Sequence, residues 1–161
     1  MKTSLVSSVI FASFASLVTP QDAADVAKQA PCANVLAHEP LLLYEIVGST
    51  LAAQIDRTLS VYADGSVRLA SASDAGPGKC RIVHVDPSLV SELHQALVAT
   101  GGWTLCDDTR IVTDVPLRTL TLLGKTPTTR AHTFSYWLGD EGYEAVDLVL
   151  EQFIADQFPD F

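Results

Sequence analysis

The stretch that most constrains the fold is an amphipathic segment between Asp86 and Gly101. Asp86 suits a helix N-cap because its carboxylate accepts amide protons of the first turn, and Pro87 suits the first helical position, where no amide proton is needed. Gly101 can adopt the left-handed conformation that ends a helix. The apolar residues between them recur at helical spacing and form one stripe: Leu89, Val90, Leu93, Leu97 and Val98. The segment therefore predicts a helix with one buried face.

Residues 58–70 predict a β-hairpin. The dipeptide Asp64-Gly65 is a strong turn signal, because both residue types tolerate positive φ. The flanking residues alternate between two faces, one apolar and one mostly polar. The apolar set is Leu59, Val61, Val67 and Leu69, and the other set is Thr58, Ser60, Tyr62 and Arg68.

Four further segments have the composition of strands, namely residues 41–47, 80–85, 117–123 and 131–138. In the third of these, Leu120 and Leu122 point inward while Thr119 and Thr121 point outward. Residues 73–79, which include Gly-Pro-Gly, predict a loop. A final helix starts near residues 139–142, and its apolar stripe comprises Tyr143, Val146, Leu150, Phe153, Ile154 and Phe158.

These elements predict an α+β fold in a single domain over residues 41–161. Hairpins imply antiparallel pairing, and helices with one apolar face must cover one side of a sheet. We expect a two-layer sandwich with a four- or five-stranded antiparallel sheet and two helices on one face. The order is strands, helix, two strands, helix. The other face of the sheet is open to solvent or to a partner.

The N-terminus resembles a secretory signal. Lys2 gives a short positive region, and residues 5–18 form an apolar run of the expected length. The signal covers residues 1–19, although cleavage as late as about residue 24 also fits the small-residue rule. Residues 20–40 predict a flexible lead-in. Because no apolar run reaches the ~20 residues of a membrane span, we expect a secreted or periplasmic protein without stable membrane insertion.

The chain carries a net charge of −9 at neutral pH. Nucleic-acid binding needs clustered Lys or Arg against phosphate, so this composition argues against it. The three cysteines of a secreted chain suggest one disulfide and one remaining thiol. If the helix runs antiparallel to the strand 80–85 and has a similar length, the chain at Cys106 returns close to Cys80. We therefore expect a Cys80–Cys106 disulfide, with Cys32 as a free or intermolecular thiol.

Motifs of enzymes are lacking in this sequence. It has no Gly-rich phosphate loop, no nucleophile elbow and no His-Glu-x-x-His motif. One metal-site alternative exists, in which His84, Asp86 and His132 converge if their strands are neighbours. A cap role for Asp86 and ordinary structural roles for the histidines compete with it. We assign no catalytic residue, no metal and no cofactor.

The polar face of the sheet is the better candidate for function. Tyr, Trp and Arg are the residue types that concentrate binding energy at protein interfaces. The predicted binding residues on this face are Tyr62, Arg68, Thr119, Thr121, Ser135 and Trp137, and Thr133 lies beside them.

From Leu59 onward the layout resembles the emfourin family, small secreted bacterial inhibitors of thermolysin-like metalloproteases. The similarity lies in the hairpin 61–67, the Leu89-x3-Leu93-x3-Leu97 helix, the strands near residues 120–122 and 132–134, and the terminal helix. The resemblance implies an α+β fold and a protease-inhibitor-like role, and it transfers no functional residue to this chain.

Taken together, the sequence predicts a secreted or periplasmic, non-enzymatic module that binds another protein. Two alternatives remain open at this point. One is a small metal-dependent hydrolase that uses His84, Asp86 and His132, and the other is a structural protein of the cell envelope.

Overall fold

The computed structural model describes residues 39–49, 54–73, 76–124 and 131–161. The elements are β1 (Leu42–Ser49), β2 (Gln54–Val61), β3 (Ser66–Ser73), β4 (Gly76–His84), α1 (Pro87–Ala99), β5 (Leu117–Leu122), β6 (His132–Tyr136) and α2 (Glu141–Gln157). The predicted signal and nearly all of the predicted lead-in lie outside the described residues.

The strands form one open antiparallel sheet in the order β4-β3-β2-β1-β5-β6. The α+β class and the antiparallel pairing are confirmed, whereas the predicted number of four or five strands is wrong, because the described residues form six strands in one sheet. The first strand explains the difference. β1 pairs with β2 along one edge and with β5 along the other, so it joins the early meander and the late hairpin into a single sheet.

The hairpin of β2 and β3 is confirmed, with Leu59 opposite Leu69 and Val61 opposite Val67. Of the two turn residues, only Gly65 has positive φ, at +85°. A side chain at Gly65 would also collide with the carbonyl oxygen of Val85. Gly65 is thus required both by its backbone conformation and by the close approach of the chain that leads into α1.

The predicted loop 73–79 is wrong for its described residues, because Ser73 ends β3 and residues 76–79 belong to β4, while residues 74 and 75 lie outside the described residues. Ser71 pairs with Lys79 and Ser73 pairs with Gly76, with a register irregularity between the two pairs. The backbone hydrogen bonds to β3 override the local turn preference of Gly-Pro-Gly, which is possible here because β4 is an edge strand.

Both helices begin where the sequence predicts. The Asp86 carboxylate accepts a hydrogen bond of 2.8 Å from the Ser88 amide at the start of α1. The Asp140 carboxylate accepts one of 3.1 Å from the Gly142 amide at the start of α2. Just beyond the end of α1, Gly101 adopts a φ of +82°. These caps satisfy amides that would otherwise lack a partner in the first turns.

The core lies between the two helices and one face of the sheet. Each strand except β4 contributes fully buried side chains to it, and both helices contribute their apolar stripes: Leu42, Tyr44, Leu59, Val67, Leu69, Leu97, Leu120, Leu122, Phe134, Tyr136, Val146 and Leu150. We call the opposite side of the sheet the outer face. Register places every second residue of each strand on it.

The expected Cys80–Cys106 disulfide is wrong. Cys106 is a free, exposed thiol, while Cys80 is disulfide-bonded. The cause is the strand order. Cys80 lies on β4 at one edge of the sheet, whereas the chain after α1 runs to β6 at the other edge, where the Cys106 carbonyl accepts a hydrogen bond from the Tyr143 hydroxyl. Five strand spacings of ~4.8 Å far exceed the Cα separation that a disulfide permits.

Candidate functional site: the outer face of the sheet

Four side-chain hydroxyls stand together on β5 and β6. Thr119 Oγ1 lies 3.0 Å from Ser135 Oγ, and Thr121 Oγ1 lies 3.0 Å from Thr133 Oγ1. We call Thr119, Thr121, Thr133 and Ser135 the hydroxyl patch. Each internal hydrogen bond uses one donor, so the patch retains acceptor lone pairs and donor capacity for another molecule.

The flank of the hydroxyl patch on β1 combines a charge with apolar surface. Glu45 lies opposite Thr119 and Leu43 lies opposite Thr121. Val47, two residues further along β1, is 55% exposed. An exposed apolar side chain beside hydroxyls and a carboxylate gives a mixed surface of the kind that protein interfaces use.

A strap of residues 107–110 closes the free edge of β6. The Ser135 amide donates to Asp107 Oδ1 at 2.8 Å, and the Asp108 amide donates to the Ser135 carbonyl at 2.8 Å. The Trp137 carbonyl accepts a hydrogen bond of 3.3 Å from Arg110 Nη2. The strap therefore fixes the backbone of half-buried Trp137 next to the hydroxyl patch.

The strap is itself held by an ion pair. Arg110 Nη2 lies 2.6 Å from Asp108 Oδ2, and Arg110 Nε donates to the same carboxylate at 3.0 Å. Hydrogen bonds from the Arg110 side chain and amide lower the pKa of Asp108 to about 2. The carboxylate consequently stays ionised over the whole physiological range, and the strap keeps its geometry there.

Tyr62 and Arg68 do not join the hydroxyl patch. Register sets Arg68 opposite Ser60 on β2, with β1 still between β2 and the patch on β5. Three strand spacings amount to about 14 Å. Tyr62 is only 8% exposed, so the prediction that it is an open contact residue is wrong. The six predicted binding residues thus form two separate groups on the sheet.

The proposed metal ligands are not brought together. His84 ends β4 and His132 begins β6, at opposite edges of the sheet. His84 Nδ1 lies 3.2 Å from Ser66 Oγ, His132 Nε2 lies 2.9 Å from the Leu105 carbonyl oxygen, and Asp86 caps α1. Within the described ranges, no three His, Cys, Asp or Glu side chains are placed to hold a metal ion.

A polar cluster beneath α2 was not predicted. Asp147 Oδ1 accepts hydrogen bonds from the Tyr44 hydroxyl at 2.6 Å, the Arg118 Nε at 2.8 Å and the Tyr136 hydroxyl at 3.2 Å. A neighbouring ion pair joins Arg57 to Glu151. Two signals in the sequence point to this cluster. Asp147 interrupts the apolar stripe of the last helix, and Arg118 alternates in phase with inward Leu120 and Leu122.

Burial governs the protonation of the two tyrosines in this cluster. It raises the pKa of Tyr44 and Tyr136 well above the usual value for tyrosine, and the negative charge of Asp147 raises both further. Both hydroxyls therefore remain neutral hydrogen-bond donors through alkaline pH. The cluster anchors α2 to β1, β5 and β6, and its side chains are committed to one another rather than to a substrate.

A cavity of about 290 Å³ opens between α1 and the ends of β1 and β2. Its lining is largely apolar, with Leu42, Val61, Val90 and Leu93 among the contributors and with Ser91 and His94 as polar members. This volume is at the lower limit for small-molecule sites.

No protein family matches the chain, and no curated protein is similar to it. Among the described residues, neither helix has the combination of length and apolar character needed to cross a membrane.

Proposed function

We propose that this chain is a non-enzymatic module that binds another protein through the hydroxyl patch and Trp137. One observation carries the proposal. Four hydroxyls are paired across two antiparallel strands, and the strap holds the backbone of Trp137, two residues beyond Ser135. Such preorganised polar groups next to an aromatic anchor lose little conformational freedom on binding.

The edge geometry supports contact through side chains rather than strand addition. The strap already occupies the outward amide and carbonyl of Ser135, so a partner strand cannot pair with β6 at that residue. The partner surface that fits is itself flat, polar and able to donate to Glu45.

A cross-linking pull-down from the native extract tests the proposal. Trp137→Ala and Thr121→Arg should each weaken capture of the partner seen with the wild type, by about 30-fold for a hot-spot residue of about 2 kcal/mol. Leu148→Ala is the matched control, because Leu148 is an exposed apolar residue on α2, away from the outer face. The proposal is contradicted if Trp137→Ala and Thr121→Arg both capture the partner as well as the wild type does, or if Leu148→Ala loses capture to the same extent as they do.

The resemblance to emfourin-type inhibitors suggests a secreted protease as the partner. Titration against a thermolysin-like metalloprotease should then give inhibition that Trp137→Ala weakens and Leu148→Ala preserves. Cleavage of the chain without inhibition would count against this choice of partner. Secretion is part of the same proposal and rests on residues 1–19, and detection of the processed chain outside the cytoplasm checks it.

A further inference from the structure

The cavity between α1 and the ends of β1 and β2 has no part in the proposed function. It lies on the helix side of the sheet, whereas the hydroxyl patch lies on the outer face. Four of its lining residues, Leu42, Val61, Val90 and Leu93, also belong to the hydrophobic core and are at most 7% exposed. Because close packing leaves few voids in a core, a space of about 290 Å³ among these residues is unusual.

Backbone hydrogen bonds fix the strand ends around the cavity. The Leu41 amide donates to the Val61 carbonyl at 2.8 Å, and the Leu123 amide donates to the Leu41 carbonyl at 2.8 Å. All three residues line the cavity. Opposite them stands α1, whose buried residues Val90 and Leu93 complete the described wall. The cavity is therefore formed by the fold itself, as small-molecule sites usually are.

The volume and the lining of the cavity define the size and polarity of a molecule that fits it. An apolar cavity of about 150 Å³ holds benzene, so a space of about 290 Å³ suits a molecule of roughly ten non-hydrogen atoms. Most of the described lining is aliphatic, which favours a hydrocarbon chain. Ser91 and His94, one turn apart on α1, place hydrogen-bonding side chains beside one end of such a molecule.

Two carboxylates border the lining of the cavity. Asp64 follows the lining residue Ala63 in the chain, and Asp86 precedes the lining residue Pro87. Hydrogen bonds from backbone amides two residues further along the chain lower the pKa of Asp64 and of Asp86, so both are ionised at neutral pH. Negative charge at the border of the cavity disfavours an anionic ligand.

From these observations we propose that the cavity binds a small neutral molecule that is mostly hydrocarbon and carries one hydrogen-bonding group, such as a medium-chain alcohol. The hydrocarbon part contacts the aliphatic side chains of α1 and of the strand ends, and the polar group lies beside Ser91 and His94. A fatty acid anion of the same length binds more weakly, because its carboxylate is repelled by Asp64 and Asp86. The outer face stays available to a protein partner.

Isothermal titration calorimetry of the purified protein with octanol tests the site. We expect saturable binding of one molecule per chain. Ala63→Trp adds an indole at an exposed position of the lining and should weaken binding at least about tenfold, because a blocked cavity loses most of its contact with the hydrocarbon chain. Val98→Trp is the matched control, because Val98 is 47% exposed on α1, and it should bind octanol as the wild type does.

A second variant adds bulk to the cavity from the helix side. Ser91→Phe should show the same loss of octanol binding as Ala63→Trp, and the far-ultraviolet circular dichroism of each variant checks that the fold is intact. The proposal is overturned if the wild type shows no saturable binding of octanol, or if a correctly folded Ala63→Trp or Ser91→Phe binds octanol as tightly as the wild type.

Octanoate tests the charge of the ligand separately, because it has the same chain length as octanol and a carboxylate in place of the hydroxyl. At neutral pH it should bind at least about tenfold more weakly than octanol. Equal or tighter binding of octanoate overturns the assignment of a neutral ligand. Neither titration involves the hydroxyl patch or Trp137, so both results are independent of whether the outer face binds a protein.

Discussion

The two helices hold the same sheet by different means. α1 buries Val90, Leu93 and Leu97, and its contact with the sheet is apolar. α2 buries an apolar stripe as well, but it includes Asp147, which accepts three hydrogen bonds from sheet residues. Apolar contacts are tolerant of small shifts, whereas a shared carboxylate oxygen has one geometry that satisfies its donors. The comparison indicates that the hydrogen bonds to Asp147 fix the position of α2 on the sheet, whereas burial of apolar side chains is the main interaction that holds α1.

The largest effect should come from Asp147→Ala. The change removes the acceptor shared by Arg118 Nε and the Tyr136 hydroxyl, and it leaves the Tyr44 hydroxyl only its 3.3 Å hydrogen bond to Glu151 Oε1. Loss of one partner of this buried ion pair should cost about 3–5 kcal/mol of unfolding free energy. Urea denaturation followed by circular dichroism measures it. Asp156→Ala, an exposed acid on the same helix, is the control and should stay within about 0.5 kcal/mol.

A double variant sharpens the same contrast. Asp147→Leu combined with Arg118→Met removes both charges together, and apolar replacement of a buried ion pair is often close to neutral. We expect it to recover part of the stability lost in Asp147→Ala, because the charge of Arg118 is removed while the Tyr136 hydroxyl still lacks an acceptor. Equal instability of the double variant would show that the cluster contributes more than satisfied charges.

The second-largest loss of stability is expected from a change in the apolar packing of α1. Leu97→Ala removes a fully buried side chain from α1 and should cost about 3 kcal/mol through lost burial and the remaining cavity. The neighbouring Val98→Ala, at an exposed position of the same helix, should change the unfolding free energy by less than about 0.5 kcal/mol. A Leu97→Ala cost below that of Val98→Ala would contradict the assignment of α1 as held by burial.

The smallest effect is expected at the helix N-caps, where an aspartate accepts a first-turn amide hydrogen bond in each of the two helices. Asp86→Ala and Asp140→Ala should each cost about 1 kcal/mol, because each removes an acceptor for a first-turn amide. Thermal denaturation of both variants measures the loss of stability that each substitution causes. If Asp140→Ala were several-fold more damaging, the anchoring of α2 would depend on its first turn and not on Asp147.

Local signals predicted the parts of this fold that depend on neighbouring residues. The Asp86 cap, the Asp64-Gly65 hairpin and the inward phase of Leu120 and Leu122 follow from chemistry within a few positions, and the structure has all three. The wrong strand number and the wrong disulfide share one cause. Nothing in a local pattern says that β1 lies between β2 and β5, and that placement separates Cys80 from Cys106.

The hydroxyl patch and the Asp147 cluster also differ in whether neighbouring residues in the sequence predict them. The pairing of Thr119 with Ser135 follows from alternation in two adjacent strands, so the hydroxyl patch was within reach of the sequence. The Tyr44–Asp147 hydrogen bond joins residues 103 positions apart, and only the folded chain shows that they meet. The burial of Tyr62 likewise depends on long-range packing, which alternation along one strand does not report.

The strap on β6 also has a consequence for how copies of this protein behave at high concentration. A sheet with unprotected edge strands is a template on which further chains can add strands and grow into fibrils. Here the edge strand β6 is already hydrogen-bonded by the strap at Ser135, and the edge strand β4 presents the exposed cations Lys79 and Arg81. Both edges therefore disfavour edge-to-edge pairing between copies of the chain, and the outer face is the part of the sheet left to contact other molecules.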